Sequence, residues 1–183
     1  MARVRYLERA DLAPEHQPLY DDIAASRGGL PPNFKALLNS PVASARMAVL
    51  GAYLRFETPL PGRVKALALL TAAREAEGDY VWTMNQPQAR SAGLGEDIIS
   101  AIRERRAPEA LAPEDASIVQ FALELLRQHR ISETTFQAVQ RRLGDAGVID
   151  LLMLIGYYYG LAHTMGALEV GPPPGVPSTL SGE

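Results

Sequence analysis

Glu75, Tyr80, Trp82, Asn85 and Arg90 fall within the stretch REAEGDYVWTMNQPQARSAG, residues 74–93, and are the side chains best suited to chemistry on a small molecule. Val64, Leu67, Ala68, Thr71 and Glu75 recur at i, i+3, i+4, i+7 and i+11, so they share one helix face. A carboxylate that ends such an apolar stripe has two readings. If the face is buried, desolvation raises its pKa and suits it to carrying a proton. If the last turn is exposed, it points to water. Asn85 both donates and accepts, and beside Tyr80 and Trp82 it could line a small polar pocket; an Asn on a helix is more often a surface residue. The Arg90 guanidinium suits a substrate carboxylate, although a helix-surface Arg is the ordinary case.

A second candidate pair is Tyr159 and His163, spaced i, i+4 on a late apolar helix. Core or interface packing, with hydroxyl and imidazole reaching polar partners at the edges, is the commoner meaning of such a pair. Substrate binding is the alternative. The three histidines, His16, His129 and His163, are far apart and form no ligand spacing, so no metal is expected. No Gly-rich loop has the spacing of a phosphate or dinucleotide cradle, and no Gly-x-Ser-x-Gly elbow occurs. No cofactor is expected. The chain has no Cys, which removes disulfides, thiol catalysis and zinc–thiolate sites.

The elements that must position these residues read as helices throughout. A first helix starts near Pro14 and ends at Gly28-Gly29, and NFKALL after Pro31-Pro32 forms a short one. Ser40 caps, and Pro41 opens, VASARMAVLGAYLRFE. Pro61 opens the helix that carries Glu75, Gly78 closes it, and Asp79 caps the next, which Pro87 should kink. GEDIISAIRER and PEDASIVQFALELLRQH follow, then ETTFQAVQRRLG closed by Gly144, and a last long helix from Asp145. Period-two alternation is absent, so the expected class is all-α, with about eight helices in one domain over residues 1–183. Residues 1–10 read as an extended lead-in. The Pro/Gly-rich arm of residues 171–183 should be mobile or lie along a neighbouring subunit.

The chain resembles the carboxymuconolactone decarboxylase family within the AhpD-like superfamily. The likeness runs from about Pro32 to Pro173 and rests on PPNFKALLNSPV, the helix ending in ARE, the YxW…P…AR…AG stretch and IGYYYGLAHTMGALEVGPPPG. Against the YEWxxHxxxAxxAG pattern of that family, Tyr80, Trp82, Pro87, Ala89, Arg90, Ala92 and Gly93 match. Val81 stands where the pattern has Glu, and Asn85 where it has His. The Cys-x-x-Cys of the peroxidase branch is missing, which excludes a thiol peroxidase.

The resemblance implies an AhpD-like helical bundle and a homo-oligomer, a trimer or a hexamer. It also implies a cofactor-free decarboxylase-like C–C lyase acting on a small carboxylated or enolisable substrate. Glu75 would carry the proton, Asn85 and Tyr80 would stabilise a developing enolate, and Trp82, Arg90, Tyr159 and His163 would bind substrate. The alternative is a member of the fold that has lost decarboxylation and serves as a small-molecule binding protein or another biosynthetic enzyme. A net charge of −3 gives no basic surface for nucleic acid or anionic membrane. The stretch Val148–Ala162 is short for a bilayer span, and charges in MARVRYLERADLAPEHQ argue against a secretory leader. The expected location is the cytoplasm.

Overall fold

A computed structural model describes residues 2–180. Met1 of the lead-in and residues 181–183 of the C-terminal arm lie outside the described residues. Among the described residues the chain is all-α, with eight α-helices and no strand. In order these are α1 (Gln17–Ala25), α2 (Pro32–Leu37), α3 (Pro41–Ala52), α4 (Gly62–Glu75), α5 (Asp79–Ser91), α6 (Glu96–Arg103), α7 (Pro113–Leu123) and α8 (Glu133–Ala167). A five-residue π-helical turn extends α3 over Tyr53–Glu57, and another extends α7 over Glu124–Gln128.

Prolines stand in the first turn of α1, α2, α3 and α7, where the missing N–H has no intrahelical partner to lose. Ser132 caps α8 by accepting from the Thr135 backbone N–H at 3.3 Å. Gly144, at φ 69° and ψ 176°, breaks α8 into two helices end to end, as its position after QRRL predicts. Pro87 sits inside α5 without ending it.

Three local expectations are corrected. Ser40 precedes α3 but makes no side-chain cap. The left-handed residue that ends α4 is Glu77, at φ 51°, not Gly78. Asp79 lies in the first turn of α5 rather than at its cap, which is Gly78. Gly78 is demanded by packing instead. A Cβ there would overlap the Ala162 Cβ and come within 3.2 Å of the Ala162 Cα, so the start of α5 can touch α8 only without a side chain.

The centre of the bundle is α4. Val64, Leu67, Ala68, Leu70, Ala72 and Ala73 are all sealed from solvent, because α5, α7 and α8 pack around it. By length and composition α8 is apolar enough to cross a membrane, yet Leu151, Leu154, Ile155 and Tyr158 are spent on this core. A smaller cluster of Leu12, Ile23, Phe34, Leu38 and Ala48 holds α1, α2 and α3 together as an N-terminal layer. The C-terminal arm does not extend away. Ser178 donates to Asp79 at 2.6 Å, the Thr179 N–H donates to the Thr83 hydroxyl at 3.1 Å, and Leu180 is buried.

Candidate functional site

Where the N-terminal layer meets the bundle, a cleft of about 400 Å³ opens between α2, the end of α3, α5 and α8. Its walls are largely apolar: Phe34, Phe56, Val81, Met84 and Leu161. Its polar groups are two guanidiniums, Arg27 and Arg55, three phenols, Tyr80, Tyr157 and Tyr158, and two amides, Asn33 and Asn85. Among the described residues the lining has no carboxylate, imidazole or thiol.

The polar groups come from Asn33 on α2, Tyr80 and Asn85 on α5, Tyr157 and Tyr158 on α8, and two arginines from the segments after α1 and α3. Arg55 projects from the π-helical turn that follows α3, a local addition of one residue per turn often found at functional sites. Its Nη1 donates to the Asn85 Oδ1 at 3.0 Å, while the Asn85 Nδ2 donates to the Val81 carbonyl at 2.7 Å. The second bond fixes the amide so that its oxygen faces the guanidinium. Arg27, in the turn after α1, lies 4.4 Å over the Phe34 ring and donates to the Ala48 carbonyl at 2.9 Å. Burial pushes its pKa down. Neither guanidinium pairs with a carboxylate among the described residues.

The phenols are protonated at neutral pH. Burial pushes Tyr80 up to about 12, although the Asn33 side chain accepts its hydroxyl at 2.9 Å. Burial likewise pushes Tyr157 up to about 12, and Tyr158 is raised for the same reason. Arg55 lies beside the Tyr158 phenol and draws its pKa partly back. The cleft thus collects donors and positive charge.

The structure divides the residues singled out in the sequence. Tyr80 and Asn85 line the cleft. Trp82, on the same helix, is fully buried in the core with its indole N–H unpartnered, and is not a cleft residue. Arg90 faces the surface in an ion pair with Glu96 and donates to Gln86 at 3.2 Å. Tyr159 and His163 do meet, ring edge to face at 4.4 Å between centroids, but neither reaches the cleft.

Glu75 is elsewhere as well. Its carboxylate accepts from Arg127 at 2.6 and 2.7 Å and from Arg105 at 3.2 Å, in a crevice between α4, α6 and α7. Burial alone would raise its pKa. The two guanidiniums outweigh that, and the carboxyl is held below its ordinary range. The expected proton carrier is therefore a fixed anion in a structural ion pair.

Arg27, Asn33, Arg55, Tyr157 and Tyr158 are cleft residues that sequence reasoning missed. Asn33 lies in the PPNFKALL segment and Tyr157 in the triple tyrosine; both motifs are visible, but nothing in them points at this cleft. Among the described residues no group of three His, Cys, Asp or Glu is placed to hold a metal ion.

No family model matches the chain, and no curated protein matches it by sequence. Solved structures do match in three dimensions. The debrominase Bmp8, in a cysteine-to-alanine form bound to 2,3,4-tribromopyrrole, superposes with a TM-score of 0.73 over 93% of this chain and 91% of that one, at 16% identity. Its apo form gives 0.72 at 16% identity, over 93% and 92%. ATU0492 of Agrobacterium tumefaciens, a protein of unknown function with a provisional assignment as the antioxidant defence protein AhpD, gives 0.66 at 16% identity, over 74% of this chain and 93% of that one. The chain has the carboxymuconolactone decarboxylase/AhpD-like fold. At this identity the AhpD-like fold is what is shared, and the side chains of the cleft must be read on their own.

Proposed function

We propose that this protein is a cofactor-free enzyme of decarboxylase type, a C–C lyase, whose substrate is a small organic acid bound in the cleft by Arg27 and Arg55. The observation that carries this is the pair of guanidiniums in a cleft with no carboxylate in its lining. Both guanidiniums are half-buried and face the cleft, and a substrate anion there would supply the carboxylate partner that neither has among the described residues. The choice of reaction follows from what the cleft lacks. Abstracting a proton needs a base that titrates near neutrality, and no imidazole or carboxylate lines the walls. Loss of CO2 from a 3-oxo or β,γ-unsaturated acid needs no base. It leaves an enolate or dienolate, which fixed donors stabilise, and takes up one proton. Bmp8 binds a small planar ring on the same fold, and the apolar walls here suit a ligand of that scale.

The second reading is a binding protein without turnover. Asn85 favours it, because this amide, at the position of the family's His, is occupied by Arg55 and by Val81. Two measurements separate the readings. Titration calorimetry with 3-phenylpropanoate should show binding that falls about ten- to a hundredfold in Arg55→Gln and Arg27→Gln, the loss of one charged hydrogen-bonding partner. Release of CO2 from 4-carboxymuconolactone and from 3-oxo acids then distinguishes enzyme from binder. Equal binding in wild type and both variants would overturn the anion site itself.

The proposal extends to a cytoplasmic homo-oligomer. Val49, Tyr53 and Phe56 on the α3 side and Ile149 and Met153 on α8 are exposed, and the Tyr53 hydroxyl bonded to Asp150 at 3.0 Å joins the two. Light scattering that shows monomer alone at micromolar concentration would count against the assembly.

A further inference from the structure

We infer that Tyr157 is the oxyanion donor of this cleft, seated by Gly51, and that the substrate is accordingly an acid with a second oxygen acceptor near its carboxylate, a 3-oxo acid. This rests on the proposed anion site and goes beyond it in naming the catalytic phenol and the substrate's second functional group.

Three observations converge on Tyr157. First, its hydroxyl has no hydrogen-bond partner among the described residues, yet it is not one of the sealed, orphaned polar atoms, which are the Ser44 hydroxyl and the Trp82 indole N–H. It therefore opens to the cleft it lines. Second, its place is prepared by the opposite helix. A Cβ on Gly51 would overlap the Tyr157 hydroxyl and stand 2.7 Å from the Cζ, far inside van der Waals contact. Any other residue at position 51 would move the phenol. Gly51 has no left-handed backbone to explain it, so the close approach is its reason. Third, the neighbouring phenols are less available to a ligand. Tyr80 donates to Asn33 at 2.9 Å, and Tyr158 is buried beside Arg55, which can only donate to its oxygen, with its ring edge-on to Tyr157, 5.1 Å between centroids. Tyr157, half-buried, is the more accessible neutral donor, with no acceptor for its proton among the described residues.

A carboxylate alone would satisfy Arg27 and Arg55 and leave this donor idle. A 3-oxo acid would occupy both. The bond between the carboxylate carbon and C2 breaks, and its electron pair passes through C2 into the C3 carbonyl. The carboxylate leaves as CO2 and the C3 oxygen becomes an enolate oxygen, to which the Tyr157 O–H donates. A solvent proton then adds to C2, giving the ketone. Charge develops on the C3 oxygen only as the bond breaks, so the phenol's hydrogen bond strengthens in the transition state rather than in the bound acid.

The test uses a matched pair of probes on the full chain: 3-oxo-3-phenylpropanoate as substrate, and 3-phenylpropanoate, the same skeleton without the ketone, as ligand. Tyr157→Phe removes one oxygen that has no protein partner, so the fold and the melting curve should be kept. Its kcat on the oxo acid should fall about a hundredfold or more, the usual loss of one oxyanion donor, with KM little changed. Its Kd for 3-phenylpropanoate should stay within about twofold of wild type, since the arginines are untouched. Gly51→Ala, which displaces the phenol, should lose kcat similarly, and the double variant should be no worse than the worse single one. Full turnover in Tyr157→Phe would overturn the assignment while leaving the anion site standing. Unchanged 3-phenylpropanoate affinity in Arg55→Gln and Arg27→Gln would overturn both. Loss of 3-phenylpropanoate binding in Tyr157→Phe would show a packing role and also overturn it.

Discussion

Replacing Glu75 by Gln should cost stability and leave turnover alone. The side chain is only 10% exposed, and its carboxylate accepts a forked pair from Arg127 and a third bond from Arg105, groups that lie 52 and 30 residues away in sequence. Gln keeps one acceptor oxygen but loses the second, and with it the charge. A charge-assisted bond in such a place contributes about 1.5–3 kcal/mol. Arg127 and Arg105 are 46% and 37% exposed and recover hydration when released, which reduces the expected loss to about 1–2 kcal/mol. For a chain of 183 residues that is a fall in Tm of roughly 3–6 °C. The dependence on pH has a definite sign. A carboxyl whose folded pKa is depressed contributes its stability above the unfolded value, near 4.3, and loses it as pH falls through the folded value. The gap between wild type and Glu75→Gln should be full at pH 7 and close progressively below about pH 4. Differential scanning calorimetry from pH 7 to pH 3, beside a turnover assay, measures both parts. An unchanged Tm together with a hundredfold loss of turnover would refute the argument and make Glu75 the proton carrier after all.

Gly78→Ala should destabilise by about 1–3 kcal/mol in urea unfolding, because its Cβ meets Ala162 on α8 and two helix backbones cannot both give way. Tyr80→Phe leaves the buried Asn33 Oδ1 without its donor and should cost about 1–2 kcal/mol by the same measurement; no loss would show that the amide finds another partner. Asn85→Asp puts a carboxylate against Arg55, where the amide oxygen now accepts at 3.0 Å. Calorimetry should then find 3-phenylpropanoate binding weakened about tenfold or more at pH 7, recovering as the new carboxyl protonates.

The fold was largely legible because its punctuation is local. Proline in a first turn and glycine after a last one need no knowledge of the partner helix, and they place α2, α3, α7 and the break at Gly144. What failed locally was the turn around Gly78, where the glycine answers to Ala162, more than eighty residues on, rather than to its own backbone. The site was legible only in part, for the same reason. Tyr80 and Asn85 share a helix with Trp82, and their spacing cannot say which of them looks into a cleft and which into the core. Glu75 read as a desolvated acid because its stripe is truly apolar; the arginines that reverse its pKa come from the turn after α6 and the π-helical turn after α7. Arg55 was hidden because nothing in VASARMAVLGAYLRFE marks the π-helical turn from which it reaches Asn85, thirty residues on.

That turn has an evolutionary consequence. A π-helical turn is the imprint of one residue inserted into an α-helix, and it is reversible by one deletion. Removing a single codon between Tyr53 and Glu57 would let α3 run on with ordinary pitch and swing the Arg55 position by about a quarter-turn, away from Asn85. The same deletion would reach the core, because Leu54 in this turn is fully buried and Thr58, just beyond it, donates to Asp150 on α8. The place of Arg55 at the head of the cleft is therefore tied to the register of a turn that also holds core contacts. Within this fold, one of the cleft's two positive charges would be gained or lost by slippage in one short stretch of gene, at a cost in packing around Leu54.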